Sequence, residues 1–205
     1  MTKITRAQVE KLFQPGDLVV VHYLKENLVS AGIQFASRGT ASHILCCLGG
    51  MEIVEALIGG VSHSYLDNYL KGNCRLTIKR MRPPLDHREV AGVCLYWRSC
   101  VSNPYDVGMI AHVAAEFPVR WIVMPICPPL GRFLLRALGR LSWASHTLST
   151  CAELGARGIR VARKKFLKTY DPEDITPEVL LRDVASLETI AVLEGAVLAP
   201  DKKGA

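Results

Sequence analysis

The stretch that most limits what this chain can fold into is Ala41 to Leu57, ASHILCCLGGMEIVEAL. Ser42 to Leu48 is a dense apolar run, Gly49-Gly50 supplies a tight turn, and Met51 to Leu57 runs back. That pattern predicts an antiparallel β-hairpin. His43 stands near the start of the first strand and Glu55 near the end of the second, and pairing across a short turn brings such positions close. A histidine facing a carboxylate on a rigid sheet is two-thirds of a nucleophilic triad, because the carboxylate fixes the imidazole's tautomer and orientation. The carboxylate of IVEAL needs a partner or a solvated strand end. Glu52 is a rival, but strand alternation puts Glu52 and Glu55 on opposite faces, so only one of them faces His43 without a bulge.

Cys151 is the candidate third member, at Thr150-Cys151-Ala152-Glu153-Leu154, where a helical pattern begins. Thr150 or Ser149 as a cap places Cys151 in the first turn, where unpaired backbone N–H groups point at its sulfur. A helix start and a neighbouring imidazolium together lower a thiol pKa from about 8.5 towards roughly 3.5–7.5. The same N–H groups are placed to hold an oxyanion. The bland alternatives are a buried small hydrophobe for Cys151 and a core histidine bonded to a carbonyl for His43. His146, just before Cys151, is a rival base with no acid placed to orient it. His22, His63, His87 and His112 lack a carboxylate-and-thiol constellation and read as structural or solvated.

The rest of the chain reads as a sheet followed by helices. Thr5 to Phe13 is a short helix stopped by Pro15-Gly16, and Asp17 to Tyr23 (DLVVVHY) is a buried strand. Leu24 to Arg38 reads as a helix with Leu28, Ile33 and Phe35 inward. Val61 to Leu70 reads as a segment wrapping past the sheet edge with Tyr65, Leu66, Tyr69 and Leu70 packed. Arg75 to Met81 alternates as a strand with Leu76 and Ile78 on one face. From Asp86 the period becomes helical, with Val90, Val93, Cys94 and Trp97 together, and Asp106 to Phe117 follows as another helix. Cys151 to Lys168 is the last long helix, Pro177 to Arg182 a helical turn, and Leu187 to Leu193 an edge strand. Strands first and helices afterwards indicate an α+β domain.

Ile122 to Leu141 is apolar and proline-broken at first, then places Arg132, Arg136 and Arg140 four residues apart on one helical face. It reads either as an amphipathic helix with a solvated arginine stripe or as a surface-seeking helix or lid. The basic run from Arg157 to Lys168 lacks aromatic interleaving and any reader motif, which favours a solvated helix face over a nucleic-acid footprint. A length of 205 residues suits one domain over 1–205, and the net charge of +6 needs no explanation beyond solubility. The seven cysteines are odd in number, five lie in or beside apolar runs, and none shows metal-ligand spacing. No metal or cofactor is expected from that set. With no secretory leader and no apolar run of about 18 residues, a reduced, cytoplasmic setting is the expectation.

Several short motifs occur in a telling order. Gly16-Asp17 precedes a β-run, then come Ser42-His43, Val54-Glu55-Ala56, Gly60-Val61 with Leu66 and Tyr69-Leu70, Arg80, Pro104-Tyr105-Asp106, Cys151-Ala152-Glu153-Leu154, and Ile175-Thr176-Pro177 with Leu180-Leu181. This ordered set resembles the circularly permuted papain-like amidases of the YaeF/YiiX type, in the NlpC superfamily, over roughly residues 15 to 185. The resemblance implies a permuted papain-like fold with antiparallel sheet packed against helices, and Cys151 as nucleophile at a helix N-terminus. It also implies His43 as general base, with Glu55 orienting it. Ala152 replaces the serine usual in the family's "CSEL" helix start, and the spacer before Cys151 is long, which marks about 119–146 as an insertion. The function implied is a cysteine hydrolase cleaving an amide bond in a cell-wall-derived or other small peptide. The alternatives are a lipid acyltransferase or thioesterase similar to lecithin:retinol acyltransferase, with peripheral membrane contact through 130–141, and a catalytically silent binding module.

Overall fold

The computed structural model describes residues 3–24, 39–105, 119–140, 150–170 and 175–199, with side chains omitted at 120, 121 and 135–140. The helices expected over Leu24–Arg38 and Asp106–Phe117 fall, apart from Leu24, outside these residues, as does His146. In chain order the elements that matter are β1 (Lys3–Ile4), α1 (Arg6–Leu12), β2 (Leu18–Tyr23), β3 (His43–Gly49), β4 (Glu52–Leu57) and β5 (Gly60–Tyr65). A 3-10 turn (Leu66–Asn68), β6 (Cys74–Met81), α2 (His87–Ser99), α3 (Pro128–Arg140), α4 (Cys151–Ala162), α5 (Pro177–Arg182), β7 (Leu187–Glu194) and β8 (Val197–Leu198) follow.

Six strands form one sheet in the order β5-β4-β3-β2-β6-β7, and all its pairings are antiparallel. The molecule is thus a mixed α+β structure with an antiparallel sheet and helices. Successive side chains of a strand face opposite ways, and here both faces are covered. Leu18, Val20, Ile44, Cys46 and Val54 pack with Val93 and Trp97 of α2 and Leu154 and Ile159 of α4. Val19, Val21, Leu45, Cys47, Ile53, Leu76 and Ile78 pack instead with Val9 of α1, Phe13 and Leu66. Burial of both faces is why LVVV and ILCCL are continuous apolar runs rather than alternating ones.

The hairpin forms as its sequence requires, with a shifted tip. Leu45, Cys46 and Cys47 pair with Glu55, Val54 and Ile53, and the register then slips so that Gly49 meets Glu52. The turn falls on Gly50 and Met51, with Gly49 and Gly50 at φ of 112° and 59°, where a side chain is disfavoured. β5 departs from expectation. Val61 to Tyr65 pairs with β4 as an edge strand, and Tyr65 is half exposed instead of packed. The helices start on their caps: Thr5, Asp86 and Thr150 each close a capping box on α1, α2 and α4.

Two polar contacts hold the sheet's ends. Arg80 grips Asp17 through two bonds of 2.7 Å and donates to the Leu12 carbonyl at 3.0 Å, joining β6 to the turn before β2. Burial pushes the Asp17 carboxyl up, and Arg80 opposes it. The buried Lys79 amine donates to the Asp183 carbonyl and Thr189 Oγ1, each at 3.2 Å, tying β6 to β7 and to the end of α5. Such buried polar groups cost stability unless bonded, and these are.

Helix α4 also differs from its sequence reading. It ends at Ala162, not Lys168. Past it, the chain turns under Arg160, which donates to the carbonyls of Phe166, Leu167 and Tyr170. Arg157 pairs with Glu153 at 2.5 Å and Arg163 with Glu89 at 2.7 Å. Three cations read as a solvated face are therefore used within the molecule. Where α4 meets α2, the Trp97 indole donates to the Leu154 carbonyl at 3.1 Å, and a Cβ at Gly158 would overlap that indole. Gly158→Ala should gain about 1 kcal/mol of helix propensity but lose more to overpacking, typically 1–3 kcal/mol. A net fall in the urea midpoint at unchanged m-value is the expected outcome.

Candidate active site

Three elements bring the candidate residues together. β3 begins at His43, and its approach is tightly held. Ser42 donates to the Val21 carbonyl through both its N–H (2.9 Å) and its hydroxyl (3.1 Å). One turn of chain earlier, the N–H groups of Thr40 and Ala41 donate to Glu178 Oε2 of α5 at 2.9 and 3.3 Å. Arg182 holds the other oxygen of Glu178 at 2.6 Å. The imidazole of His43 is therefore carried on backbone pinned from two sides.

Glu55 lies on β4 opposite Leu45, two residues along from His43 and on the same sheet face. The pair is diagonal, a spacing that long side chains can bridge. His43 Nε2 lies 2.9 Å from Glu55 Oε2, and both residues are buried. Glu55 receives a further hydrogen bond from the Tyr69 hydroxyl, and Ser64 also favours its charged form. Burial acts to raise the Glu55 carboxyl, but the His43 and Tyr69 donors overcome it and hold the group below its ordinary range. Glu52 points elsewhere: it is exposed and lies 3.4 Å from both His63 Nε2 and Arg98 Nη2.

Cys151 is the first residue of α4, after the Thr150 cap, whose hydroxyl accepts from the Glu153 N–H at 3.3 Å. Its thiol is buried and electrostatically coupled to His43, and the N–H groups of Ile44 and Ala152 also act on it. With Nε2 committed to Glu55, Nδ1 is the ring nitrogen left for the sulfur. Burial tends to raise the thiol, yet His43 and the two N–H groups bring it below the ordinary value. Burial likewise works against the imidazolium, but the Cys151 and Glu55 charges lift His43 to about 9. Cys46, Cys47, Cys74 and Cys94, by contrast, are pushed up by burial.

The sequence reading brought out His43, Glu55 and Cys151 but not the groups that hold them. Tyr69 reads from the sequence as packing, and nothing in the sequence singles out Glu178. The one available signal for Tyr69 was a tyrosine among buried apolar neighbours, whose hydroxyl needs a partner. Among the described residues no group of three or more His, Cys, Asp or Glu side chains is arranged to hold a metal ion.

No family model matches the chain, and no curated protein matches it. Among solved structures it is similar to one described as the metalloprotein yiiX from Escherichia coli O157:H7. The TM-score is 0.53 at 13% identity, covering 89% of this chain and 99% of that one. That neighbour is of the type the ordered motifs resemble, and at this identity the likeness concerns the fold alone.

The charges of the pair have opposite consequences for stability. His43, with its folded value of about 9 above the free 6.5, adds stability that is complete below 6.5 and is lost as pH rises through 9. Cys151, held below its free value of 9.0, adds stability that is complete above 9.0 and is lost as pH falls through its folded value. Ring-nitrogen NMR of His43 should show an imidazolium persisting to about pH 9 in the wild type. In Cys151→Ala the midpoint should move down, because the charge that raises the imidazole most is gone. An unchanged midpoint would mean the thiol is not the partner of that ring.

Proposed function

We propose that this chain is a cysteine hydrolase with a circularly permuted papain-like, NlpC-type architecture, cleaving an amide bond in a cell-wall-derived or other small peptide. One observation carries the proposal: a buried histidine lies between a carboxylate on its own hairpin and a thiol at a capped helix start. The yiiX likeness supports the fold, and the choice of substrate class follows the motif resemblance. The expected order of the elements, with the cysteine last in the chain, fits a permuted papain-like arrangement.

In the resting state the proton sits on His43 and the negative charge on Cys151. The thiolate attacks the amide carbon, and the displaced electron pair moves onto the carbonyl oxygen. Backbone N–H groups at the start of α4 are the donors proposed for that oxyanion. Collapse of the intermediate breaks the C–N bond, and the departing amine takes the proton from His43. His43 then deprotonates a water, which attacks the thioester, and the thiolate leaves as the acid product forms. Glu55 keeps Nε2 protonated and Nδ1 aimed at the sulfur throughout. The neighbour is described as a metalloprotein, but the set here does not suit an ion. Glu55 and Cys151 bond opposite nitrogens of one ring, so the three do not converge on a common point. The free cysteines suit a reducing, cytoplasmic setting.

A second reading keeps the triad and changes the acyl donor. Ile122, Ile126, Leu130 and Phe133 are exposed within one short stretch that also carries the exposed Arg132. An apolar surface beside arginines suits an anionic lipid interface, which would favour lipid acyl transfer or thioester hydrolysis. No helix among the described residues is long and apolar enough to cross a membrane.

Cys151→Ala and His43→Ala should each abolish turnover, and mass spectrometry should find an iodoacetamide-type probe on Cys151 alone near pH 6. Labelling that persists at Cys46 or Cys100 in Cys151→Ala would overturn the assignment. An acyl-enzyme trapped from native extract would identify the substrate. For the lipid reading, flotation with phosphatidylserine vesicles should show binding that is lost when Arg132, Arg136 and Arg140 become Glu, at about 1 kcal/mol per cation. Absence of binding in both forms removes that reading.

A further inference from the structure

Glu55 is held more firmly than a partner for His43 needs to be if distance alone mattered. A carboxylate on a three-torsion side chain can keep one hydrogen bond while its plane swings. Here two donors from different parts of the fold, His43 Nε2 and the Tyr69 hydroxyl, end on the same oxygen, Oε2. Ser64, on β5, also favours the charged carboxylate. Convergent donors fix where the oxygen lies, not merely how far away it is.

Tyr69 is itself immobilised. Its N–H donates to the Leu66 carbonyl at 2.8 Å, and its own carbonyl accepts from Cys74 Sγ at 2.9 Å. Its ring stacks near the His43 imidazole, centroids 6.3 Å apart and planes 23° from parallel. Behind it, Tyr23 at the end of β2 lies beside Tyr69, and the two phenols act on each other. Tyr23 is placed in turn by its pairing with Cys74 on β6. A line of hydroxyls thus runs from a half-buried tyrosine to the buried acid.

We infer that Tyr69, backed by Tyr23, is a positioning residue that fixes the Glu55 oxygen receiving the His43 Nε2 proton and limits the tilt of the imidazole, keeping Nδ1 aimed at Cys151. The inference rests on the cysteine-hydrolase reading. Tyr69 transfers no proton, because burial and the Glu55 charge push its phenol far up and keep it a donor. A tyrosine present only to fill space would give its place to phenylalanine without effect on the sulfur.

The test uses the full-length wild type, Tyr69→Phe, Glu55→Gln and the double variant, with iodoacetamide alkylation of Cys151 followed by mass spectrometry from about pH 5 to pH 10. Thermal melts accompany each profile. Tyr69→Phe should lower the rate below neutrality about tenfold, the factor expected for one hydrogen bond to a charged group, and narrow the pH window. In the Glu55→Gln background the same change should add less than about twofold, since groups acting through one partner are not additive. A Tyr69→Phe profile superimposable on the wild type overturns the inference. So does an equal loss in both backgrounds, which would make Tyr69 independent of Glu55. A wild-type Cys151 that alkylates only near the ordinary thiol value of about 8.5 sinks the hydrolase reading itself, a different curve from either failure. Should Tyr69→Phe not fold, Tyr23→Phe carries the test one bond further out. A decrease of about threefold that disappears in Glu55→Gln supports the inference, and no change overturns it.

Discussion

The buried histidine at the start of β3 is the constraint around which the other contacts arrange themselves. A buried imidazolium is costly unless both its N–H groups are spent on anions or acceptors. Glu55 takes one and Cys151 the other. Each anion would be equally costly alone, so the three groups stabilise one another or none of them stays charged. The carboxylate is further supported by Tyr69 and Ser64, and the thiolate by the N–H groups of Ile44 and Ala152.

The double-sided sheet is what makes such a site possible. With β3 and β4 in the middle of the hydrogen-bonding order from β5 to β2, the pair sits away from either edge, where water and breathing motions would loosen it. The face carrying Leu45 and Ile53 also carries Glu55 and is closed by Leu66, while α4 closes the other. His43 stands at the first position of its strand, where the sheet ends and a side chain can reach around from one face towards the other. A histidine further along, in the place of Leu45, would be sealed from Cys151 by the strands themselves.

Much of this was legible in the sequence because it is local. The hairpin declares itself by two apolar runs and a Gly-Gly tip, and the helix start by Thr150 with Glu153 three residues on. The alternation argument that separated Glu52 from Glu55 holds on β4, with Glu52 turned to Arg98. What stayed hidden is long-range or disguised. GVSHSY alternates weakly and carries two serines and a histidine, so β5 resembled a loop; pairing with β4 overrides that weak preference. The basic run after Cys151 resembled a solvated stripe because Phe166, which draws the chain inward and ends α4, is separated from its partners by the turn that Arg160 stabilises. Tyr69 reads only as a packed motif residue and Glu178 does not stand out, since only tertiary structure brings their oxygens to Glu55 and to the chain before His43.

The division between local and distant parts also has a mechanical consequence. Glu55 and His43 come from one hairpin, twelve residues apart, so their geometry is set as soon as two adjacent strands pair. The thiol arrives from the far end of the chain, and its placement depends on one docking event: α4 settling on the sheet and on α2. That contact is made close by glycines. A side chain at Gly155 would meet Leu18 and Ile44 at 3.1 and 3.3 Å, and one at Gly158 would strike Trp97. Small residues let the helix axis approach until Cys151 reaches the ring, and Trp97 locks it there through the Leu154 carbonyl. The position of the sulfur is therefore decided by how α4 packs, not by the path of the chain that leads to it. Changes in the length or composition of the segment before Thr150 should therefore leave the thiol beside the imidazole.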